Sequence, residues 1–376
     1  MSAAAPPVTF PRLRFIDMAR AVAILLMLEG HFVDVTLAPQ YRDASHPVYI
    51  LWLYGRGLAA PLFFTVTGLI FAFLLSGAKE PGFWGVKRVR KGVLRAVEIS
   101  AWAYLLQVDF KKLPGVFRGV WDPWLQGFHV LQCIAVGLLL MIGIFGVVRN
   151  AGPKALAAAY IGAGLLVFLL AVWLANHPGM VPAGAPAWFQ NAFKGPTSVF
   201  PVAPWLAFTF YGAAIGVLVR HRGGGSESGV NPWPFLILGM ILKNVGWWFD
   251  RWLGVRWLDL LGAAAEGRVI PENVHGRIGE ILLLLGALVW IERRFHSCPD
   301  GFLAIGRNTF PIYVGHVIVL FGGIFGISLL KVWGHALNPW QAAFGAVMFC
   351  AAFALFAQTV EPIARRWNAW RSSGTR

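Results

Sequence analysis

Charge is what this sequence has least of. Asp, Glu, Lys and Arg together make up 13% of its 376 residues, about half of the roughly 25% usual in soluble domains. The shortage falls mainly on one sign, with 17 acidic residues against 32 basic ones. So little polarity cannot cover a water-soluble globule, and a 57% hydrophobic content points to a polytopic membrane protein. Cysteine is nearly missing: Cys133, Cys298 and Cys350 stand far apart, which excludes a disulfide framework and any zinc spacing. No metal is expected. No Walker or dinucleotide glycine motif precedes a helix, which argues against ATP-driven transport. The first apolar run lacks the short core and small-residue cleavage site of a removable signal, so it is expected to remain as the first helix. Linkers, charge blocks and repeats are also missing. The organisation read from this is a single transmembrane domain over residues 13–364, between a Pro-rich disordered tail (1–12) and a basic tail (365–376). With no soluble domain to carry a basic face, nucleic acid is excluded as a partner.

What is present is a series of apolar runs. A span needs about 20 apolar residues, and by that measure the chain reads as an all-α bundle of about ten transmembrane helices. They fall near 13–37, 50–77, 93–109, 127–148, 154–175, 201–220, 233–249, 277–294, 309–330 and 340–363. Lys243 and Asn244 interrupt the seventh, where Glu98 or Glu280 could neutralise the lysine. Lys and Arg collect in alternate loops: Arg12 and Arg14, "KRVRKGVLR" (87–95), Arg149 and Lys154, Arg220 and Arg222, Arg293 and Arg294, and the C-terminal tail. The positive-inside rule places those loops and both termini in the cytoplasm. Residues 251–277, with four Arg on the opposite side, are the exception.

The first helix is the unusual one. "FIDMARAVAILLMLEGHFVD" (15–34) carries Asp17, Arg20, Glu29, His31 and Asp34. At 100° per residue Arg20 and His31 differ by only about 20° around the helix. Asp17 and Asp34 sit three positions from them, so the four share one stripe. A central Arg or Asp facing lipid costs about 2.5–3.5 kcal/mol even on the lenient insertion scale. The stripe is therefore expected to face a polar interior. Arg20 and His31 are separated by about 16.5 Å along the axis. A structural reading remains open, with Asp17/Arg20 and His31/Asp34 as ion pairs fixing the two helix ends.

"DMAR" followed ten residues later by "H" combines with "APLFFTVTGLIFAFLL" (60–75), "HVLQCIAVGLLL" (129–140) and "IGRNTFPIYVGH" (305–316). In that order these segments resemble the transmembrane acyltransferase superfamily, whose branches include the acyltransferase-3 proteins and the catalytic domain of heparan-alpha-glucosaminide N-acetyltransferase. The resemblance implies an acyl group passed from cytoplasmic acyl-coenzyme A, with acetyl-coenzyme A the first choice, to a small-molecule or glycan acceptor outside. Carried onto this chain, Arg20 with Asp17 would hold the coenzyme arm, His31 would take the acceptor's proton, and Asp34 would orient the imidazole. In the heparan branch the position of His31 is usually Asn, with a catalytic His in the loop after the first helix. That loop here is "APQYRDASHPVYI" and contains His46. His31 and His46 are thus rival bases.

Other candidates each have a plainer alternative. Arg56, between two glycines at the start of the second helix, could bind an acidic acceptor or snorkel to headgroups. His129 and Gln132 share a helix face and could line the acceptor pocket or make an interhelical hydrogen bond. Tyr313 and His316 are cavity candidates by the resemblance, or a satisfied interior pair. Arg88 and Arg90 could attract coenzyme phosphates or only set topology. Trp121 and Trp124 could stack on a sugar or anchor at the interface. The expected protein is a multi-pass acetyltransferase of a bacterial inner (plasma) membrane, glycan-modifying, with room for a homo-oligomer. A proton-coupled transporter or flippase using the same stripe, and a non-catalytic assembly component, are the rivals.

Overall fold

The computed structural model describes residues 13–78, 80–111, 113–119, 123–195, 197–222, 229–263, 266–271, 273–295 and 298–373; for 116, 123, 124, 361 and 363–373 it describes the backbone alone. Its helices are α1 (Arg14–Thr36), α2 (Pro47–Leu75), α3 (Lys87–Gln107), α4 (Leu113–Val116), α5 (Val130–Val148), α6 (Pro153–Asn176), α7 (Ala187–Phe193), α8 (Val202–Arg222), α9 (Trp233–Leu260), α10 (Val274–Phe295), α11 (Asp300–Arg307), α12 (Thr309–Phe321), α13 (Leu329–Trp333) and α14 (Pro339–Ser373). Strand structure among the described residues is limited to isolated bridges.

Among the described residues six helices are long and apolar enough to cross a bilayer: α2, α5 with the turn after it, α6, α8, α10 and the part of α14 up to Val360. The pair α11 and α12 makes a seventh if it counts as one span, bent by 75°. Helices α1, α3 and α9, with 23, 21 and 28 residues, are long enough but too polar for that test. Charged residues dilute α1 and α3, and tryptophans with Lys243 and Asn244 dilute α9. Several expected boundaries change: α3 begins at Lys87, so the basic stretch 87–95 is helical and not a loop, and α14 runs on to Ser373 through the expected tail. Helix α9 continues to Leu260, so Arg251 and Arg256 of the anomalous basic loop are on a helix. The expected span 309–330 stops at Phe321, where Gly322 takes the left-handed conformation (φ 76°) that ends a helix cheaply.

Helix α1 packs against α2, α10, α11, α12 and α14, and contributes to both hydrophobic clusters, through Phe15, Met18 and Ala19 to one and through Ile24, Leu28 and Phe32 to the other. It is buried on nearly every side, which is why its polar groups must find partners inside the protein. Helices α2 and α8 meet backbone to backbone. A Cβ on Gly68 would stand 1.9 Å from Thr209 O, and one on Gly212 1.9 Å from Thr65 O. Only glycine lets two backbones approach so closely, the small-residue packing that membrane helices use.

Helix ends sort onto two faces. Ser76, Arg149 and His221 line one small pocket, which brings together the ends of α2, α5 and α8, and Phe15 N donates to Glu292 Oε2 (3.1 Å), which joins the start of α1 to the basic end of α10. On the opposite face three backbone bridges, Leu37 with Leu337, Asp109 with Ile324 and Phe128 with Ser198, tie the loops to one another. Lys243 is exposed on α9 and pairs with neither Glu98, which accepts from Arg95 (2.8 Å), nor Glu280, which accepts from Arg277 (2.9 Å) and Tyr54. The expected neutralisation of Lys243 does not form, because both carboxylates are taken by nearer groups.

Candidate functional site

Beneath the bridged loops lies a cavity of about 850 Å³. Its walls come from the ends of α1, α2, α3, α5 and α12 that share this face, together with Val199, Phe200, Trp205 and the turn after α12. Its apolar lining includes the aromatic residues Phe63, Phe200, Trp205 and Phe321. Trp205 packs edge-on against Phe200, with centroids 4.8 Å apart.

The sequence candidates divide sharply over this cavity. His31, Arg56, His129, Gln132, Tyr313 and His316 all line it. His31 and His316 stack, their ring centroids 5.5 Å apart and their planes 18° from parallel, with Tyr313 edge-on to His316 and Phe321 edge-on to His31. His316 is 1% exposed, and its Nδ1 lies 3.3 Å from Ile312 O. A carbonyl only accepts, so Nδ1 carries the proton and Nε2 of the neutral ring is an acceptor.

The second group stands away from the cavity. Arg20 Nη2 donates to Thr309 Oγ1 (2.5 Å) at the start of α12, with Asp17 Oδ1 3.9 Å from Nη1. Arg20 and His31 therefore both turn toward α12, as their shared stripe requires, but at opposite ends of it. Asp34 does not hold the imidazole. Its carboxylate is ion-paired with the Arg56 guanidinium, and no hydrogen bond joins it to His31 among the described residues. Gly30 makes that pairing feasible, since a Cβ there would stand 3.1 Å from Arg56 Cγ as the arginine crosses α1. His46 is exposed at the N-terminal end of α2 and is not among the cavity residues. In the same loop Ser45 donates its hydroxyl and its amide to Asp43 (2.7 and 2.8 Å), holding that carboxyl below the ordinary range. Arg88 and Arg90 are exposed in the first turn of α3. Trp121 and the side chain of Trp124 lie outside the described residues.

Glu29, unplaced by its position on the helix, accepts a 2.5 Å hydrogen bond from Trp52 Nε1 of α2. Arg42 straps the loop ends: its Nη2 donates to Asp34 O (2.6 Å) and Leu37 O (2.9 Å) and to His335 Nδ1 (2.9 Å).

Sequence reasoning missed several cavity residues: Gln107, Asp109, Trp205 and Lys331. A glutamine closing a helix and a lysine in a loop carry no periodic signal, so only tertiary structure assigns them. Lys331 Nζ donates to Gly326 O (2.5 Å), and Asp109 Oδ1 accepts from Lys111 N (2.9 Å). A wall with two stacked imidazoles, a paired guanidinium and neutral amides can take a proton from a polar substrate and hold uncharged groups. No group of His, Cys, Asp and Glu among the described residues could hold a metal ion.

No curated protein matches the chain. The family described as heparan-alpha-glucosaminide N-acetyltransferase, catalytic, matches residues 12–248. That segment includes His31, Arg56, His129 and Gln132, while Tyr313 and His316 lie beyond it. With more than half of its length matched and its helices apolar enough for repeated membrane crossing, the chain belongs to the heparan-alpha-glucosaminide N-acetyltransferase catalytic family, as a multi-pass membrane protein of acetyltransferase type.

Proposed function

We propose that the protein transfers an acetyl group from acetyl-coenzyme A to a hydroxyl or amine of a sugar or similarly polar acceptor, across a plasma membrane in which the basic face is cytoplasmic. The single observation that carries this reading is the cavity in which His31 and His316 stack beside Arg56, His129 and Gln132, in a chain of this family. The sidedness rests on the basic helix ends gathered on the face away from the cavity.

In this reading His31 is the general base. It accepts the proton from the acceptor O–H or N–H as that atom attacks the thioester carbonyl. The C–S bond then breaks, and the proton passes to the departing sulfur, so the products are the acetylated acceptor and free coenzyme A. A positioned base contributes typically about 10² to 10⁴ in rate. The preference for His31 over His46 rests on its place in the cavity wall, on a helix held by packing on most sides, where preorganisation is available. Arg20, with Asp17, is assigned to the coenzyme from the opposite end of the stripe, and Arg88 and Arg90 to a diffuse attraction for its phosphates.

The test uses purified full-length protein. Saturable binding of acetyl-coenzyme A, slow hydrolysis without acceptor, and weaker binding in Arg20→Ala are the expected results. Absence of binding, or binding indifferent to Arg20→Ala, would remove the acetyltransferase mechanism and return the stripe to the proton-coupled transport reading.

A further inference from the structure

Two carboxamides in the cavity wall are each half satisfied. Gln107 is 8% exposed and Gln132 4% exposed, and both line the cavity. Gln107 Nε2 donates to Gly127 O (3.1 Å), and Gln132 Oε1 accepts from His129 N (3.2 Å). These backbone partners fix which way each amide faces, since a flip would set oxygen against oxygen in one and N–H against N–H in the other. What remains is a buried acceptor, Gln107 Oε1, and a buried donor, Gln132 Nε2, neither with a hydrogen-bond partner among the described residues. Buried polar atoms are overwhelmingly paired, and an exception calls for an explanation.

The two amides are held by neighbouring backbone groups. Their anchors, Gly127 O and His129 N, flank the single residue Phe128, which puts those atoms within roughly 5 Å of each other. Phe128 O is itself held by Val199 N (3.2 Å). The stretch 127–129 is thus fastened on both sides and presents both amides rigidly, the supporting shell a binding site needs.

We propose that Gln107 and Gln132 form a neutral subsite that binds one uncharged group offering a donor and an acceptor side by side. Gln107 Oε1 takes the ligand's hydrogen bond and Gln132 Nε2 gives one. Adjacent hydroxyls of a sugar ring have this chemistry, and so does the α-hydroxyamide of a pantetheine arm, whose hydroxyl and neighbouring carbonyl face the same way; a trans amide's own N–H and C=O point apart. A carboxylate or phosphate does not, because it has nothing to donate to Gln107. The subsite deepens the acetyltransferase reading and rests on it for its place in catalysis, but its ligand binding can be measured independently.

The experiment titrates full-length wild type, Gln107→Met and Gln132→Met with two probes, acetyl-coenzyme A and methyl α-glucopyranoside, following intrinsic tryptophan fluorescence. Methionine keeps the length of the side chain and removes the amide, and a melting curve for each variant reports folding. An acceptor subsite raises the glucoside dissociation constant about tenfold in both variants and leaves that for acetyl-coenzyme A within twofold. A donor subsite gives the reverse, and either result supports the proposal. It is overturned if both constants stay within twofold of wild type in folded variants, or if wild type binds neither probe saturably. Should either variant fail to fold, the same comparison is made with Gln107→Asn and Gln132→Asn, in which the amide is retained but withdrawn by one methylene. Wild type that binds glucoside in an amide-dependent way but not acetyl-coenzyme A would sink the donor assignment and keep the subsite.

Discussion

Asp34 and Arg56 hold each other across α1 and α2, and His31, three residues from Asp34, stacks instead on His316. The imidazole is thus positioned by another imidazole and not by a carboxylate. This separates the roles that a Ser–His–Asp arrangement would combine. His31→Ala is expected to lower acetyl transfer by about 10² to 10⁴-fold, while His46→Ala changes it by less than about threefold. Initial rates with saturating acetyl-coenzyme A measure both, and equal mild losses would end the assignment of His31 as base.

Because Asp34 serves Arg56, Asp34→Asn should act on stability and not on the proton-transfer step. The Arg56 side chain is 43% exposed and that of Asp34 24%, so solvent screening limits the pair to roughly 0.2–1 kcal/mol. The expected outcome is a small drop in melting temperature with a loss of maximal rate far below that of His31→Ala. A loss of rate as large as that of His31→Ala would show that the carboxylate does act through the imidazole.

A second polar chain lies buried elsewhere, where Asp250 accepts from His275 through both the ring Nδ1 and the backbone N–H, and His275 Nε2 lies 2.6 Å from Tyr211 Oη. Asp250 is 2% exposed, and none of the three lines the cavity. Asp250→Ala leaves the His275 ring Nδ1 and backbone N–H without their acceptor in a buried site, with Tyr211 still on Nε2, and should cost about 1–3 kcal/mol. Thermal unfolding in detergent measures this. Little change in stability, with a large loss of acetyl transfer, would move the chain from a structural to a functional role.

Gly212→Val tests the α2–α8 contact. The added Cβ would meet Thr65 O at 1.9 Å and Thr65 C at 2.7 Å, both backbone atoms that cannot rotate away. Failure to accumulate as folded monodisperse protein is expected, with Gly162→Val, where a Cβ meets nothing within 4 Å, as the tolerated control. Normal folding of Gly212→Val would mean that the two helices can separate at little cost.

Much of the site could be read from the polar stripe of α1, because helical periodicity alone brings Arg20 and His31 to one face, and both do turn to α12. A shared helix face put forward His129 and Gln132 and the resemblance Tyr313 and His316, and the fold brings all four to one cavity. Partner choice could not be read. Asp34 with Arg56 and Glu29 with Trp52 are contacts between helices, set by how α1 and α2 rotate against each other, and no spacing within one helix encodes that. The length of α9 was hidden for a different reason: its tryptophans, Arg251 and Arg256 weaken the apolar signal that marks a span, although its backbone stays helical through them. Gln107 was invisible because its importance lies in one unpaired oxygen.

The glycine-lined contact of α2 with α8 also bears on motion. Backbones in direct contact cannot slide past each other without opening voids along their whole length, so these two helices behave as a single beam, with Arg56, Gly57 and Phe63 of the cavity mounted on it. The facing wall is built differently. It consists of α12, separated from α11 by a 75° bend, and a turn in which Gly322, Ile324 and Gly326 all have positive φ. A substrate that needs a wider passage would have to gain it on that side, with the beam as the fixed jaw and α12 as the moving one.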